Sequence, residues 1–201
     1  MYRVVKRVID IFGSVFALVI FSPLILVIVV RINREDSGPI LYKQVRVGQN
    51  GEKFQMLKFR SMVVGAHKMR EQIADLNEAD GPIFKIQNDP RVTMVGRWMR
   101  GHSFDEIPQF FNVLIGEMSL VGPRPALPEE VEKYTPREKS RLIVRPGLTG
   151  LWQVSGRSKL TYRQMIDLDL SYIETRGLFL DITILFKTVI QMFDPESNGA
   201  Y

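Results

Sequence analysis

The stretch IFGSVFALVIFSPLILVIVV, residues 11–30, decides how the rest of the chain is read. It carries no charge, while Arg3, Lys6 and Arg7 precede it and Arg31 and Arg34 follow it. A run of about 20 apolar residues is long enough to cross a hydrocarbon core about 30 Å thick. Positive charge marks the cytoplasmic side of a span, however, and here both flanks are positive. A signal peptide wants a shorter apolar core and a small-residue cleavage site, and none is visible after Val30. Ser22 and Pro23 introduce a third reading. Proline cannot donate to the carbonyl four residues back, so it kinks a helix, and the Ser22 hydroxyl is suited to satisfy a freed carbonyl. The arm from Ile11 to Ser22 would be about 18 Å long at about 1.5 Å per residue, so it enters one leaflet without crossing it. Charge and proline alone leave a re-entrant hairpin and a kinked span both open.

The rest of the chain turns soluble in composition. The whole sequence of 201 residues, 45% hydrophobic and 24% charged, suits one domain with a core and excludes disorder or a fibrous repeat. Lys plus Arg is 27 against 22 for Asp plus Glu, and the net charge of +5 points to an anionic partner. The basic residues are scattered through Pro/Gly turns without an aromatic-basic pattern, which argues against nucleic acid. With no cysteine, disulfides, thiol nucleophiles and thiolate zinc sites are excluded, and His67 and His102 are too few for a histidine-built metal site. Strands are predicted over residues 40–47 and 53–59 around a Gly48-Gln49-Asn50-Gly51 turn. Helices are predicted over residues 62–79, 92–99, 107–114, 162–175 and 178–193, and a mobile loop between Gly81-Pro82 and Asp89-Pro90. Residues 123–136, punctuated by prolines, read as irregular. In the last helix Asp181, Lys187, Thr188 and Gln191 share a stripe, with apolar residues over most of the remainder, which suits either a core or a membrane interface. The fold class expected is α+β and mostly helical, a small membrane-associated domain with a short β-hairpin and amphipathic interfacial helices.

Chemistry concentrates around Gly101-His102-Ser103-Phe104-Asp105-Glu106-Ile107-Pro108. Ser103 and Glu106 have capping-box spacing, and acidic residues suit a helix start, so a structural account of the octapeptide is available. Pro108 sits awkwardly with it, because proline interrupts a helix begun at Ser103. The functional account has one carboxylate binding a hard cation such as Mg²⁺ while its neighbour attacks phosphorus. Such a reaction mainly needs positioning and positive charge. Lys58 and Arg60 close a strand, Arg97 and Arg100 lead into the acidic pair, and Arg124, Arg145 and Arg157 sit in turns stiffened by Pro or Gly. Arginine grips phosphate oxygens in bidentate fashion. The Gly147–Gly150 turn lacks the G-K-[ST] of a Walker loop, and no dinucleotide fingerprint occurs.

The chain resembles the bacterial sugar transferases, the monotopic polyprenyl-phosphate phosphoglycosyl transferases. The resemblance runs in family order from Lys6-Arg7-Val8-Ile9-Asp10 and Ser22-Pro23 through residues 57–62, 88–93, 103–109, 112–114, 118–125, 145–150, Gln153, Gly156-Arg157 and Leu168-Asp169. It implies Asp105 as the nucleophile on the β-phosphorus of a UDP-sugar, releasing UMP, and Glu106 as principal ligand of a Mg²⁺ cofactor. Polyprenyl phosphate, usually undecaprenyl phosphate, then accepts the phosphosugar. Lys58 and Arg124 match the family's other active-site cations, and Arg100, Arg145, Gln153 and Arg157 are expected phosphate or nucleotide contacts. The resemblance also implies a re-entrant helix hinged at Ser22 and Pro23 over residues 1–34. A catalytic domain over residues 35–201 would lie on the cytoplasmic face of the bacterial inner membrane. Many relatives carry further spans and another domain upstream, and Phe104 stands where leucine is usual. Sugar selectivity is expected in residues 72–87 and 126–141. Protein partners expected without a residue-level argument are a second copy of the chain and downstream glycosyltransferases. A glycosyltransferase releasing UDP and a non-catalytic membrane module are the rival readings.

Overall fold

The structure, a computed structural model, describes residues 1–69, 71–77, 86 and 88–193. Helix α1 (Tyr2–Ile20) and helix α2 (Ser22–Glu35) meet at Phe21 with a bend of 60°. Pro23 has no N–H to give the carbonyl of Val19, and the Ser22 hydroxyl donates to that oxygen at 2.7 Å. The kink and its local satisfaction are therefore as predicted. Among the described residues no single helix is long and apolar enough to cross a bilayer; the bent pair together is.

The polarity of α1 is inverted relative to a helix of a soluble core. Asp10 and Ser14 are buried, while Val8, Phe12, Val15, Phe16 and Val19 are exposed. Asp10 accepts from the Ser119 hydroxyl at 3.0 Å and from the Leu120 amide at 2.9 Å, so polar groups anchor the helix inward. The end of α2 docks through Ile28 and Ile32 into a cluster with Phe59, Met99 and Ile107.

Strands β1 (Leu41–Val47) and β2 (Lys53–Phe59) form the expected antiparallel hairpin, pairing Tyr42 with Lys58 and Val47 with Lys53. Asn50 at its turn takes the left-handed conformation that asparagine tolerates. Residues 62–79 depart from the expected helix. Met62 bridges Val92, the Val63 amide donates to the Arg91 carbonyl, and Gly65 has a φ of 80°, so the described part is extended chain followed by 3₁₀ turns. The loop expected at residues 81–90 lies largely outside the described residues. Helix α3 (Met94–Gly101) begins later than expected because Val92 is held in that bridge and Thr93 caps the helix. Glu35 adds a second cap, accepting from the Met94 and Val95 amides and tying α2 to α3.

Helix α4 (Gln109–Ile115) is followed by strand β3 (Ser119–Val121). The proline-rich middle is more regular than predicted. Pro128 opens helix α5 (Pro128–Val131) and Pro136 opens helix α6 (Pro136–Lys139), the position where a missing N–H is harmless. Strand β4 (Gly147–Thr149) pairs in parallel with β3. The approach is so close that a Cβ on Gly122 would sit 2.6 Å from the Arg145 carbonyl. Helices α7 (Tyr162–Thr175) and α8 (Leu178–Phe193) have the predicted bounds. Buried Asp181 of α8 collects Tyr2 and Lys6 of α1 and Tyr172 of α7, so three helices meet on one carboxylate. Ile184 faces the main core, and Phe179, Ile182, Phe186, Val189 and Ile190 point outward.

Candidate active site

Asp105 and Glu106 lie in a 3₁₀ turn (Phe104–Glu106) between α3 and α4. Ser103 enters it with a φ of 58° and makes no capping hydrogen bond, so the capping box is not formed. Pro108 instead stands at the N-cap of α4, and the acidic pair is left outside any α-helix. Two devices bring this turn to the end of β2. Buried Asn112 of α4 accepts from the Leu57 amide at 3.0 Å and donates to the Gln55 carbonyl at 2.8 Å, clamping the strand edge. On the other side Gly96 of α3 packs against Ser61, where a Cβ would come within 2.0 Å of the Ser61 carbonyl. Arg100, one turn later, donates to the Ser61 hydroxyl at 3.0 Å.

Lys58 Nζ then stands 2.6 Å from Glu106 Oε1 and 3.7 Å from Asp105 Oδ2. The two carboxylates differ in environment. The Asp105 side chain is 9% exposed and that of Glu106 31%. Burial, reinforced by the neighbouring Glu106, pushes the Asp105 carboxyl above its ordinary range against the pull of Lys58 and Arg100. For Glu106 burial works in the same direction, but Lys58, Arg157 and Arg46 outweigh it and hold the carboxyl below its ordinary range. One carboxyl is raised and desolvated beside another kept anionic and open, a separation of roles that acid–base and nucleophilic sites exploit.

Arg124 lies in the Gly122-Pro123-Arg124-Pro125 turn after β3 and pairs with buried Glu130 at 3.0 Å. Arg46 of β1, also buried, donates to the Pro125 carbonyl at 2.9 Å and to Gln44 at 2.7 Å. Burial and the charge of Arg124 bring the Arg46 pKa down to about 9, against the opposing charges of Glu130 and Glu106, which leaves it cationic at neutral pH. Arg141 donates to the Arg124 carbonyl at 3.3 Å while its buried ion pair with Asp169 holds α7 at 2.6 Å. The Pro-Arg-Pro turn is thus held by Arg46 and Arg141 through its carbonyls and by Glu130 through its guanidinium. Neither Arg46 nor Glu130 was singled out by sequence, because a lone arginine on a strand and a glutamate in a short helix carry no spacing signal.

Arg157, at a φ of 46°, is joined electrostatically to Glu106, and its Nε is buried without a hydrogen bond. Gln153 Oε1 and Trp152 Nε1 are likewise buried and unbonded. Three such atoms thus fall within residues 152–157. Trp152 had no sequence signal beyond its rarity. Arg60, another cation at the end of β2, is bound to Asp36. Arg145 goes elsewhere. It lines a cavity beside Arg3 and Arg7 of α1, and its Nη2 lies 3.9 Å from where a Gly116 Cβ would be. Gly116 caps the far end of α4 from the acidic pair.

The bent N-terminal helix pair is thus joined to a domain that gathers two adjacent carboxylates beside Lys58, with Arg157 charge-coupled to one of them. The whole-chain comparison gives the family: residues 1–195 match "Bacterial sugar transferase", and the chain belongs to that family. It is 44% identical, over 99% of its length, to "Undecaprenyl-phosphate galactose phosphotransferase" of Salmonella typhimurium. It is 42% identical, over 92% of its length, to "Exopolysaccharide production protein ExoY" of Rhizobium meliloti. It is 41% identical, over 99% of its length, to "UDP-galactose-lipid carrier transferase" of Erwinia amylovora. The chain spans 42% of the length of the Salmonella and Erwinia proteins and 83% of the Rhizobium one.

Proposed function

We propose that this chain transfers a sugar phosphate from a UDP-sugar to a polyprenyl phosphate at a membrane surface, through a covalent phosphosugar on Asp105. The observation that carries the reading is the pairing of a desolvated carboxyl of raised pKa with an open, anionic Glu106 across Lys58. The names of the Salmonella and Erwinia relatives, which print undecaprenyl phosphate, UDP-galactose and a lipid carrier, support the substrate classes.

In the first step an Asp105 oxygen attacks the β-phosphorus of the donor, the bond from that phosphorus to the bridging oxygen breaks, and UMP departs with the electron pair. In the second, a phosphate oxygen of the polyprenyl phosphate attacks the same phosphorus and Asp105 leaves as carboxylate. No proton has to move in either step, so positioning and positive charge carry the reaction. Lys58 orients both carboxylates. In this reading Arg124, rigid between two prolines, and Arg157 receive phosphate oxygens, and Gln153 and Trp152 bond the nucleotide. Arg100 steadies the Asp105 turn. Glu106, with Asp105 beside it, would hold Mg²⁺. Among the described residues no cluster of three or more ligating side chains occurs, and Mg²⁺ needs none when one or two carboxylates and substrate phosphates complete its shell. When bound, the cation would offset the negative charge of the diphosphate.

The N-terminal pair enters one leaflet and returns in this reading, with residues 35–201 on the cytoplasmic face of a bacterial inner membrane. The outward apolar side of α1, the 60° bend and the outward apolar side of α8 support it. The lipid phosphate then meets Asp105 at headgroup depth. The assay is nucleotide release in nanodiscs with undecaprenyl phosphate, Mg²⁺ and a panel of UDP-sugars. Multiple turnover of UMP that depends on lipid and on Asp105 is expected and names the sugar. UDP in its place would make the chain a glycosyltransferase, and no release from any donor would leave a membrane module without this activity.

A further inference from the structure

A cavity of about 490 Å³ opens at the start of α1, lined by Arg3, Lys6, Arg7, Arg145 and Arg176 together with a single carboxylate, Asp10. Most of these charges are already engaged. Asp10 binds β3, Lys6 pairs with Asp181 at 2.9 Å, and Arg176 donates to the Ile173 carbonyl. Arg7 donates to the Val113 and Leu114 carbonyls at the end of α4. Arg3 and Arg145 are exposed and have no hydrogen-bond or ion-pair partner among the described residues. The terminal nitrogens of Arg7 and Arg145 both reach the space above Gly116, at 3.4 and 3.9 Å from where its Cβ would be. Of the five cations lining the cavity only Lys6 has an ion-pair partner among the described residues, so the lining keeps an excess of positive charge over Asp10, and guanidinium suits phosphate oxygens.

The location narrows the anion. α1 leaves the cavity with Val4, Val8 and Phe12 exposed, and α8 begins two residues after Arg176 with Phe179 exposed. The cavity therefore sits where two outwardly apolar helices start, and a group bound there stands at the edge of the apolar surface. We propose that this cavity is a phosphate site, separate from the Asp105 centre, that takes the headgroup phosphate of an anionic phospholipid through Arg3 and Arg145. The choice of a lipid over a free phosphate rests on the membrane-seated reading above. The phosphate chemistry does not.

The test counts lipids retained by the full chain in native mass spectrometry, offered phosphatidylglycerol, phosphatidylcholine or inorganic phosphate. The variants are R3Q/R145Q and, as a match in charge, R31Q/R34Q, whose arginines are exposed at the other end of the hairpin. One phosphatidylglycerol held at least tenfold over phosphatidylcholine is expected. R3Q/R145Q should lose that preference and R31Q/R34Q keep it. Saturation by inorganic phosphate with no preference for phosphatidylglycerol would overturn the lipid source. Equal retention of both lipids without phosphate binding, or the same loss in both double variants, would overturn the site. Lipid counting does not depend on nucleotide release, so this proposal and the transfer reaction fail or stand separately.

Discussion

At the scale of single residues, two neighbouring carboxylates are given opposite characters. Asp105 has to be ionised to attack, and burial raises its pKa, so kcat/KM should fall as pH drops through a value above the ordinary aspartate range. Lys58 opposes that rise, and Lys58→Gln should move the acidic limb to still higher pH while lowering the rate about 10²–10³-fold. Pre-steady-state UMP release measured across pH checks both. The same shift sets a sign for stability. A carboxyl whose folded pKa exceeds its unfolded value is destabilising once ionised, and that penalty develops as pH rises from the unfolded pKa through the folded one. Asp105→Asn should therefore reduce turnover about 10³-fold or more while raising Tm at neutral pH. A lower Tm at neutral pH would contradict the environment assigned to Asp105. Adjacent acids ahead of an apolar run made this pair legible in the sequence. Arg46 and Glu130 were not legible, because what makes them matter is burial against a turn 79 and 6 residues away.

At the scale of elements, what was local could be read and what was long-range could not. Helices α7 and α8 and both hairpin strands fall where periodicity and turn residues put them, because their signals lie within the segments themselves. Residues 62–79 have helical composition, but the backbone of Met62 and Val63 is taken up by residues 91 and 92, a pairing no local pattern announces. The three-residue strands β3 and β4 are likewise too short to show a period. The hinge was legible because Pro23 names the carbonyl it leaves free. Pro23→Ala restores that donor and should straighten the pair toward a span. With no native cysteine, single Arg3→Cys and Ser37→Cys reporters read this directly in sealed vesicles. Both label from one side with Pro23 present, and position 3 should move to the other side without it. Among the packing elements, the buried Arg141–Asp169 pair joins α7 to the Pro-Arg-Pro turn. Arg141→Met strands a buried carboxylate and should lower stability by about 3–5 kcal/mol in urea titration.

At the scale of the whole molecule, α1 and α8 turn polar groups inward and apolar side chains outward, the surface that the proposed membrane seat would cover. Phe179 and Phe186 are 86% and 66% exposed and contribute little to the core, so Phe179→Ser with Phe186→Ser should leave Tm nearly unchanged. Retention on vesicles should fall at least about tenfold, since a buried phenylalanine is worth about 1.5–3 kcal/mol. Removal of divalent cations with EDTA should stop UMP release and leave that retention intact, which separates chemistry from anchoring. The central claim, that Asp105 carries the phosphosugar, is tested most directly by intact-protein mass spectrometry after mixing the chain with Mg²⁺ and a turned-over UDP-sugar, without lipid acceptor. The expected result is a mass increase of one sugar phosphate, mapped to the peptide containing Asp105, absent in Asp105→Asn and discharged by polyprenyl phosphate. An unmodified chain that still releases nucleotide when the acceptor is added would contradict the covalent route.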